Sequence, residues 1–231
     1  MIIYGKNVVK EAIFAKRKIH GLYLDERFSD QYFLKFLEDK KIQYQLKNKG
    51  ELNALSEQNV HQGVVADVEP YTYFELGEVL DSTKHQRFII LDGIEDPHNL
   101  GAILRTAEAV KLDGIIISKK NAVPLNATVA KVSSGAIEHV KVVMVTNINQ
   151  AIRELKEASV WVVGTDGQTE KTYNDLPKHV SLAIVMGNEG EGIRPLVKQN
   201  CDMLVKIPMY GKINSLNVSV AAALMMYKMS E

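Results

Sequence analysis

Three polar, glycine-bearing stretches beyond residue 90 hold the side chains best able to do chemistry. The first, LDGIEDPHNLGAILRTAEA at 91–109, sets Asn99 and Arg105 six residues apart. That is a little under two helical turns, and it offers a carboxamide and a planar cationic fork aimed towards one strand end. An N-capping asparagine and a solvated arginine would read the same way. The second stretch, IVMGNEGEGI at 184–193, packs three glycines into six residues behind an apolar run. Such a loop adopts positive φ or lets backbone approach a ligand closely. Glu189 and Glu191 would repel a phosphate, so a cationic or zwitterionic ligand fits better. A tight turn with solvated glutamates has the same composition. The third, IPMYGKINSLNVSVAAA from Ile207, sets Ser215 and Asn217 at the opening of a small-residue helix, Val218 to Ala223. Free N–H donors lie there, and a plain N-cap would use the same residue types.

Other chemistries lack their residues. The chain contains no G-x-G-x-x-G, no G-x-x-x-x-G-K-[ST] and no G-x-S-x-G. His98 beside Asp96 or Glu95 could act as a base, but no serine or cysteine nucleophile occupies a comparable turn. The single cysteine, Cys201, cannot form an internal disulfide, and no Cys/His cluster could bind zinc, so no metal is expected.

The elements that must position these stretches read as follows. Apolar strands are expected at 88–92, 114–118, 140–145, 160–164, 181–186 and 203–207, with helices near 99–111, 124–132, 147–157, 193–199 and 216–229. Strands this uniformly apolar are buried on both faces, which argues a mostly parallel sheet covered by helices, an α/β class. Ligands in such sheets bind at the carboxyl ends of the strands, where all three stretches fall. Before this domain, residues 1–70 alternate short helices (7–16, 29–40, 49–56) and strands (21–25, 42–46, 63–68) in a small α/β module. Residues 71–86 lack a sustained pattern and read as a linker with a short helix near 73–80. The second domain is then 87–231.

The 231 residues are 46% hydrophobic and 24% charged, which excludes disordered and collagen-like classes. No window approaches the apolar length of a membrane span, and the charged start does not read as a signal peptide, so a reducing, cytoplasmic setting is expected. With 28 basic and 28 acidic residues, any polyanion site must be a local patch. The first twenty residues supply one, with Lys6, Lys10, Lys16, Arg17 and Lys18 against Glu11 alone. Lys119, Lys120, Asn121 and Asn126 form another candidate.

Taken together, N-x5-R, GNEGxG and IPM…SLNVSVA, in this order and spacing, resemble the three motifs of the SpoU (TrmH-like) family of RNA ribose 2′-O-methyltransferases, within the knotted SPOUT superfamily. The likeness covers residues 87–231. YGKNxVxEA at 4–12 and HQGV at 61–64 resemble the ribosomal-protein-L30-like (L30e-like) substrate-binding domain found on many members. The resemblance implies a deep trefoil knot in the catalytic domain and S-adenosylmethionine held in the knotted loops. Gly187, Ile207 and Leu216 would contact it, with Met209 and Asn217 lining the pocket. It also implies that Arg105 acts at the reacting nucleotide, with Asn99, Glu189, Ser215 and Asn217 orienting it and the ribose. Members work as homodimers spanned by RNA, and the two-domain layout most resembles those that modify a guanosine of 23S ribosomal RNA. A tRNA-directed or antibiotic-resistance rRNA methyltransferase of the same family, a non-catalytic RNA-binding assembly factor and a small-molecule α/β enzyme stand as the other readings.

Overall fold

The computed structural model describes residues 1–188, 190 and 192–231; Glu189, a catalytic candidate, and Glu191 lie outside the described residues. The chain forms two units. The first is Met1–Tyr71 with Leu125–His139, the second Thr72–Pro124 with Val140–Glu231.

In the first unit, strands β1 (Ile2–Tyr4), β2 (Ile19–Asp25), β3 (Gln45–Lys47) and β4 (Val64–Val68) form a sheet of order β1-β4-β2-β3. β4 runs antiparallel to both neighbours, and β3 runs parallel to β2. The alternation at 42–46 becomes strand only from Gln45, on the exposed sheet edge. Helix α1 (Lys6–Phe14) buries Val8, Val9, Ala12 and Ile13, the stripe its 3.6-residue period dictates. Helix α2 (Gln31–Asp39) starts at Asp30, whose carboxylate accepts from Phe33 N at 3.1 Å. Helix α3 (Lys49–Leu55) opens with a capping box between Asn48 and Glu51.

One boundary departs from the sequence reading. Residues 125–139, expected inside a continuous catalytic domain, pack with the first unit. Asn126 is spent as the N-cap of the helix Ala127–Val132, accepting from Val129 N. Ala127 joins the cluster of Tyr4, Leu52 and Val65. His139 Nε2 lies 2.8 Å from Glu11 Oε2 on α1. Apolar periodicity reports that a helix buries a face, not which neighbour it buries it against.

Within this unit His61 is buried, bonded through Nε2 to Asn53 and accepting from Gly63 N at Nδ1. Burial pushes its pKa below the ordinary 6.5. The unfolded chain therefore binds the proton more readily, and stability falls as pH drops below about 6.5. Thermal melts between pH 7.5 and 5 are expected to show this loss in the wild type and a smaller one in His61→Gln.

With the Ala127–Val132 helix of the first unit counted as α6, the second unit is built on α4 (Leu76–Val79), β5 (Arg87–Asp92), α5 (Pro97–Ala109), β6 (Gly114–Ser118), β7 (Val142–Val145), α7 (Ile148–Glu157), β8 (Trp161–Thr165), β9 (Leu182–Gly187), α8 (Pro195–Asn200), β10 (Met203–Val205) and α9 (Val218–Lys228). Its six strands are all parallel, in the order β10-β8-β9-β5-β6-β7. β5, β6 and β9 are buried along almost their whole length, as continuous apolar runs require. The segment 71–86 is less of a linker than its composition suggests. Leu76 and Val79 enter the core, and Phe74 pairs with Val143. The buried Gln86 side chain donates to Val79 O and accepts from Asp81 N.

Candidate active site

β5 and β9 meet where the strand order reverses, and their last residues, Asp92 and Gly187, are register partners. Outside these strand ends lies a cavity of about 650 Å³. Its walls come from the end of β9 (Met186, Gly187), the chain after β10 (Ile207, Pro208, Met209), Ser215 and Leu216, and the first turn of α9 (Val218, Ala221). Gly187, Ile207, Met209, Ser215 and Leu216, far apart in sequence, therefore share one pocket. Thr165, Asp166 and Gly167 complete it and had no motif to announce them. Asp166 is ion-paired with Lys198, whose hydrogen bond holds its carboxyl below the usual range, so the wall keeps an ionised carboxylate.

Gly192 and Ile193 lie directly against Gly187. A Cβ on Gly187 would come within 2.0 Å of the Gly192 carbonyl carbon and 2.3 Å of Ile193 N. Only glycine permits that approach. The far end of the loop is tied by Asp92. Its buried carboxylate accepts from Arg194 N at 3.2 Å and lies 2.6 Å from the Arg194 guanidinium, at an angle too poor for a hydrogen bond at Oδ1. One residue thus anchors both ends of the loop, its main chain to Gly187 and its side chain to Arg194. A charged residue closing an otherwise apolar strand was the only sequence signal for it. A second, polar cavity of about 430 Å³ lies beside the first, lined by Asp92, Glu95, Ser118, Asn121 and Arg194, with Asn188 bordering both.

α5 begins at Asp96, whose side chain accepts from His98 N, so Asn99 is not the cap. Asn99 instead accepts from Asn217 Nδ2 at 2.9 Å. Asn217 caps α9 in turn, its Oδ1 accepting from Ser219 N and Val220 N. Asn217, expected to line the pocket, is instead spent on capping α9 and bonding Asn99, while its neighbours Leu216 and Val218 form the wall. Arg105 lies about 9 Å further along α5, which runs back from the strand ends. It is exposed and has no ion pair among the described residues. Of the pair expected to converge on the strand ends, Asn99 bonds Asn217 at the start of α9 and Arg105 lies outside the pocket walls. Burial raises the Cys201 thiol to about 11, so it remains protonated and is no nucleophile at neutral pH.

Among the basic candidates of the first unit, Lys10, Lys16 and Lys18 are exposed, and Lys6 is paired with Asp30 at 2.6 Å. Arg17 has to be withdrawn. Its side chain is 8% exposed, pairs with Glu138 at 2.7 Å, donates to Glu69 O and stacks 3.4 Å from the Tyr71 ring centroid. A local charge count cannot see a partner 121 residues away. The Tyr71 hydroxyl also donates to Glu138, and burial with that carboxylate holds its pKa well above the ordinary range.

Among the described residues no cluster could hold a metal ion, and no helix is long and apolar enough to cross a membrane. Residues 86–227 match the model of the SpoU rRNA methylase family, and residues 2–74 match that of the RNA 2′-O ribose methyltransferase substrate-binding domain. The chain belongs to the SpoU family of RNA methyltransferases. A protein of Staphylococcus aureus strain COL, named for the TrmH family of tRNA/rRNA methyltransferases, is 46% identical over 98% of this chain and 94% of its own. The SpoU methyltransferase AviRb from Streptomyces viridochromogenes, solved in complex with the cofactor AdoMet, superimposes with a TM-score of 0.84 at 21% identity, over 100% of this chain and 89% of its own. An AdoMet-bound rRNA methyltransferase from Sinorhizobium meliloti gives 0.84 at 24%, over 99% and 85%.

Proposed function

We propose that this protein transfers the methyl group of S-adenosylmethionine to the 2′-hydroxyl of a ribose in RNA, with a guanosine of 23S ribosomal RNA as its target. The observation that carries the reading is the pocket at the β5/β9 switch point, walled by the second and third motifs and bordered by the Asn217–Asn99 bond to the first. Its residues fit the cofactor. Met186, Ile207, Leu216 and Val218 offer apolar surface for a purine, the tight loop after Gly187 offers main-chain groups, and Asp166 offers a carboxylate towards a cationic ligand. The bound cofactor would supply an activated methyl on a sulfonium.

The protein's own task is orientation. Asn217, fixed by α9 and Asn99, and Ser215 beside it would hold the ribose, with Glu189 a further candidate. Arg105 would stabilise the alkoxide as the 2′-hydroxyl loses its proton, since a guanidinium stays protonated and is a poor base. Its place down α5 suits a site shared by two copies spanned by RNA. The face of α9 that would join them carries exposed Val220, Leu224 and Tyr227 at helical spacing. The knotted threading goes with family membership, and the lone protonated cysteine suits a reducing cytoplasm.

Asp92→Asn is expected to loosen the cofactor loop and weaken S-adenosylmethionine binding about 10-fold, because the buried carboxylate loses the charge that holds the half-exposed Arg194 guanidinium and the Arg194 N–H. Isothermal titration calorimetry checks it. The target is tested with labelled S-adenosylmethionine and separate unmodified 23S, 16S and transfer RNA, the products digested and their nucleosides identified by mass. 2′-O-methylguanosine confined to 23S RNA supports the proposal; label confined to transfer RNA moves the substrate to the other class named for the relatives.

A further inference from the structure

The outer helices of the first unit lie side by side in the same sense. α1 carries Lys6, Lys10 and Phe14 at intervals of four, and α2 with its C-cap carries Tyr32, Phe36 and Lys40 at the same interval. Residues four apart share a helix face. The Lys6–Asp30 ion pair at 2.6 Å ties the two helix starts, and the Phe14 and Phe36 rings meet near their ends, 5.1 Å apart and tilted by 59°. Lys10 Nζ stands 5.6 Å from one ring centroid and 5.5 Å from the other. Lys40 Nζ stands 5.4 Å from Phe14. From beneath, the buried Phe33 backs Phe36 at 6.1 Å.

This cluster is more than the outer edge of a core. Phe14 is 46% exposed and Tyr32 92% exposed. Among the described residues no carboxylate pairs with Lys10 or Lys40. Burying this surface against an apolar protein face would strand two ammonium groups. An aromatic pair whose neighbouring lysines rest against the rings and have no carboxylate partner suits single-stranded nucleic acid, whose phosphates draw the cations off the rings and whose bases take their place.

We propose that Phe14 and Phe36, with Lys10 and Lys40, form a stacking platform for one or two unpaired bases of RNA, extended by Tyr32. The proposal rests on the RNA-methyltransferase reading for its ligand class and assigns the contact to residues outside the three motifs. It also shifts the contact from the N-terminal lysine count, which included the buried Arg17, to a mixed aromatic and basic face.

The test uses the full chain and a 5′-fluorescein-labelled, unstructured 12-nucleotide RNA of mixed sequence, followed by fluorescence anisotropy at several salt concentrations. Phe14→Leu/Phe36→Leu keeps apolar bulk but removes the rings, and is expected to weaken binding about 10-fold. Lys10→Gln/Lys40→Gln, which alters only the surface, is expected to reduce the salt slope by about 1.4, two phosphates' worth for a single strand. Lys84→Gln, in the second unit and paired with Asp113, is the control expected to bind like wild type. Wild-type affinity and slope in both test variants would overturn the proposal and hand the face to a protein partner. Failure of the wild type to bind this RNA would overturn it as well. If the RNA results follow expectation but calorimetry finds no S-adenosylmethionine binding, the platform stands and the methyltransferase reading falls.

Discussion

Replacing Arg105 with alanine is expected to slow methyl transfer to RNA by about 100- to 1,000-fold, the cost of removing one preorganised group that stabilises developing negative charge. S-adenosylmethionine affinity should stay within about twofold, because Arg105 lies outside the pocket walls and a little under two turns beyond Asn99. Arg105→Lys keeps the charge but loses the planar fork, so it should recover only part of the rate. The protein should melt like wild type, since the side chain is exposed and has no ion pair among the described residues. Single-turnover kinetics at saturating cofactor separates these expectations. A normal rate in the alanine variant would remove Arg105 from the active site.

The second large effect is expected at Gly187. Alanine there would push a methyl group to 2.0 Å from a backbone carbon, and backbone cannot rotate away as a side chain can. The loop must rebuild, and cofactor binding should fall below detection by calorimetry. A stability loss of about 4 kcal/mol or more is expected if the loop cannot relax. Gly77→Ala is the matched control. It sits in α4 at negative φ with nothing near the added methyl, so it should be neutral or stabilise by about 0.5–1 kcal/mol. Cofactor binding by Gly187→Ala at wild-type affinity would show that the loop does not need the close approach.

Much of this architecture is legible in the residues, for physical reasons that also mark where legibility stops. FIILD and GIIIS are apolar at every position but the last, which only a strand covered on both faces tolerates, and both became central strands of a parallel sheet. Gly187, Ile207 and Leu216 could be drawn to one pocket because each belongs to a short run whose type and order are distinctive. Pairings made only in three dimensions stayed hidden. Arg17 counted as a surface cation until Glu138 and Tyr71 were seen to bury it. The helix Ala127–Val132 carries a clear apolar stripe, yet nothing in that stripe says that it packs with the unit of the first 71 residues. Asp92 gave one faint sign, a carboxylate at the end of an apolar run, and its partner is about a hundred residues away in Arg194.

The central claim is that the methyl group goes from S-adenosylmethionine to a ribose 2′-hydroxyl. The most direct measurement uses methyl-labelled cofactor, purified protein and unmodified total RNA, followed by complete alkaline hydrolysis. Strand cleavage by alkali needs a free 2′-hydroxyl. Label recovered in alkali-resistant dinucleotides is therefore the expected result. Label released in mononucleotides would place the methyl on a base and contradict the account, and RNA that stays unlabelled beside protein shown to bind the cofactor would contradict it too.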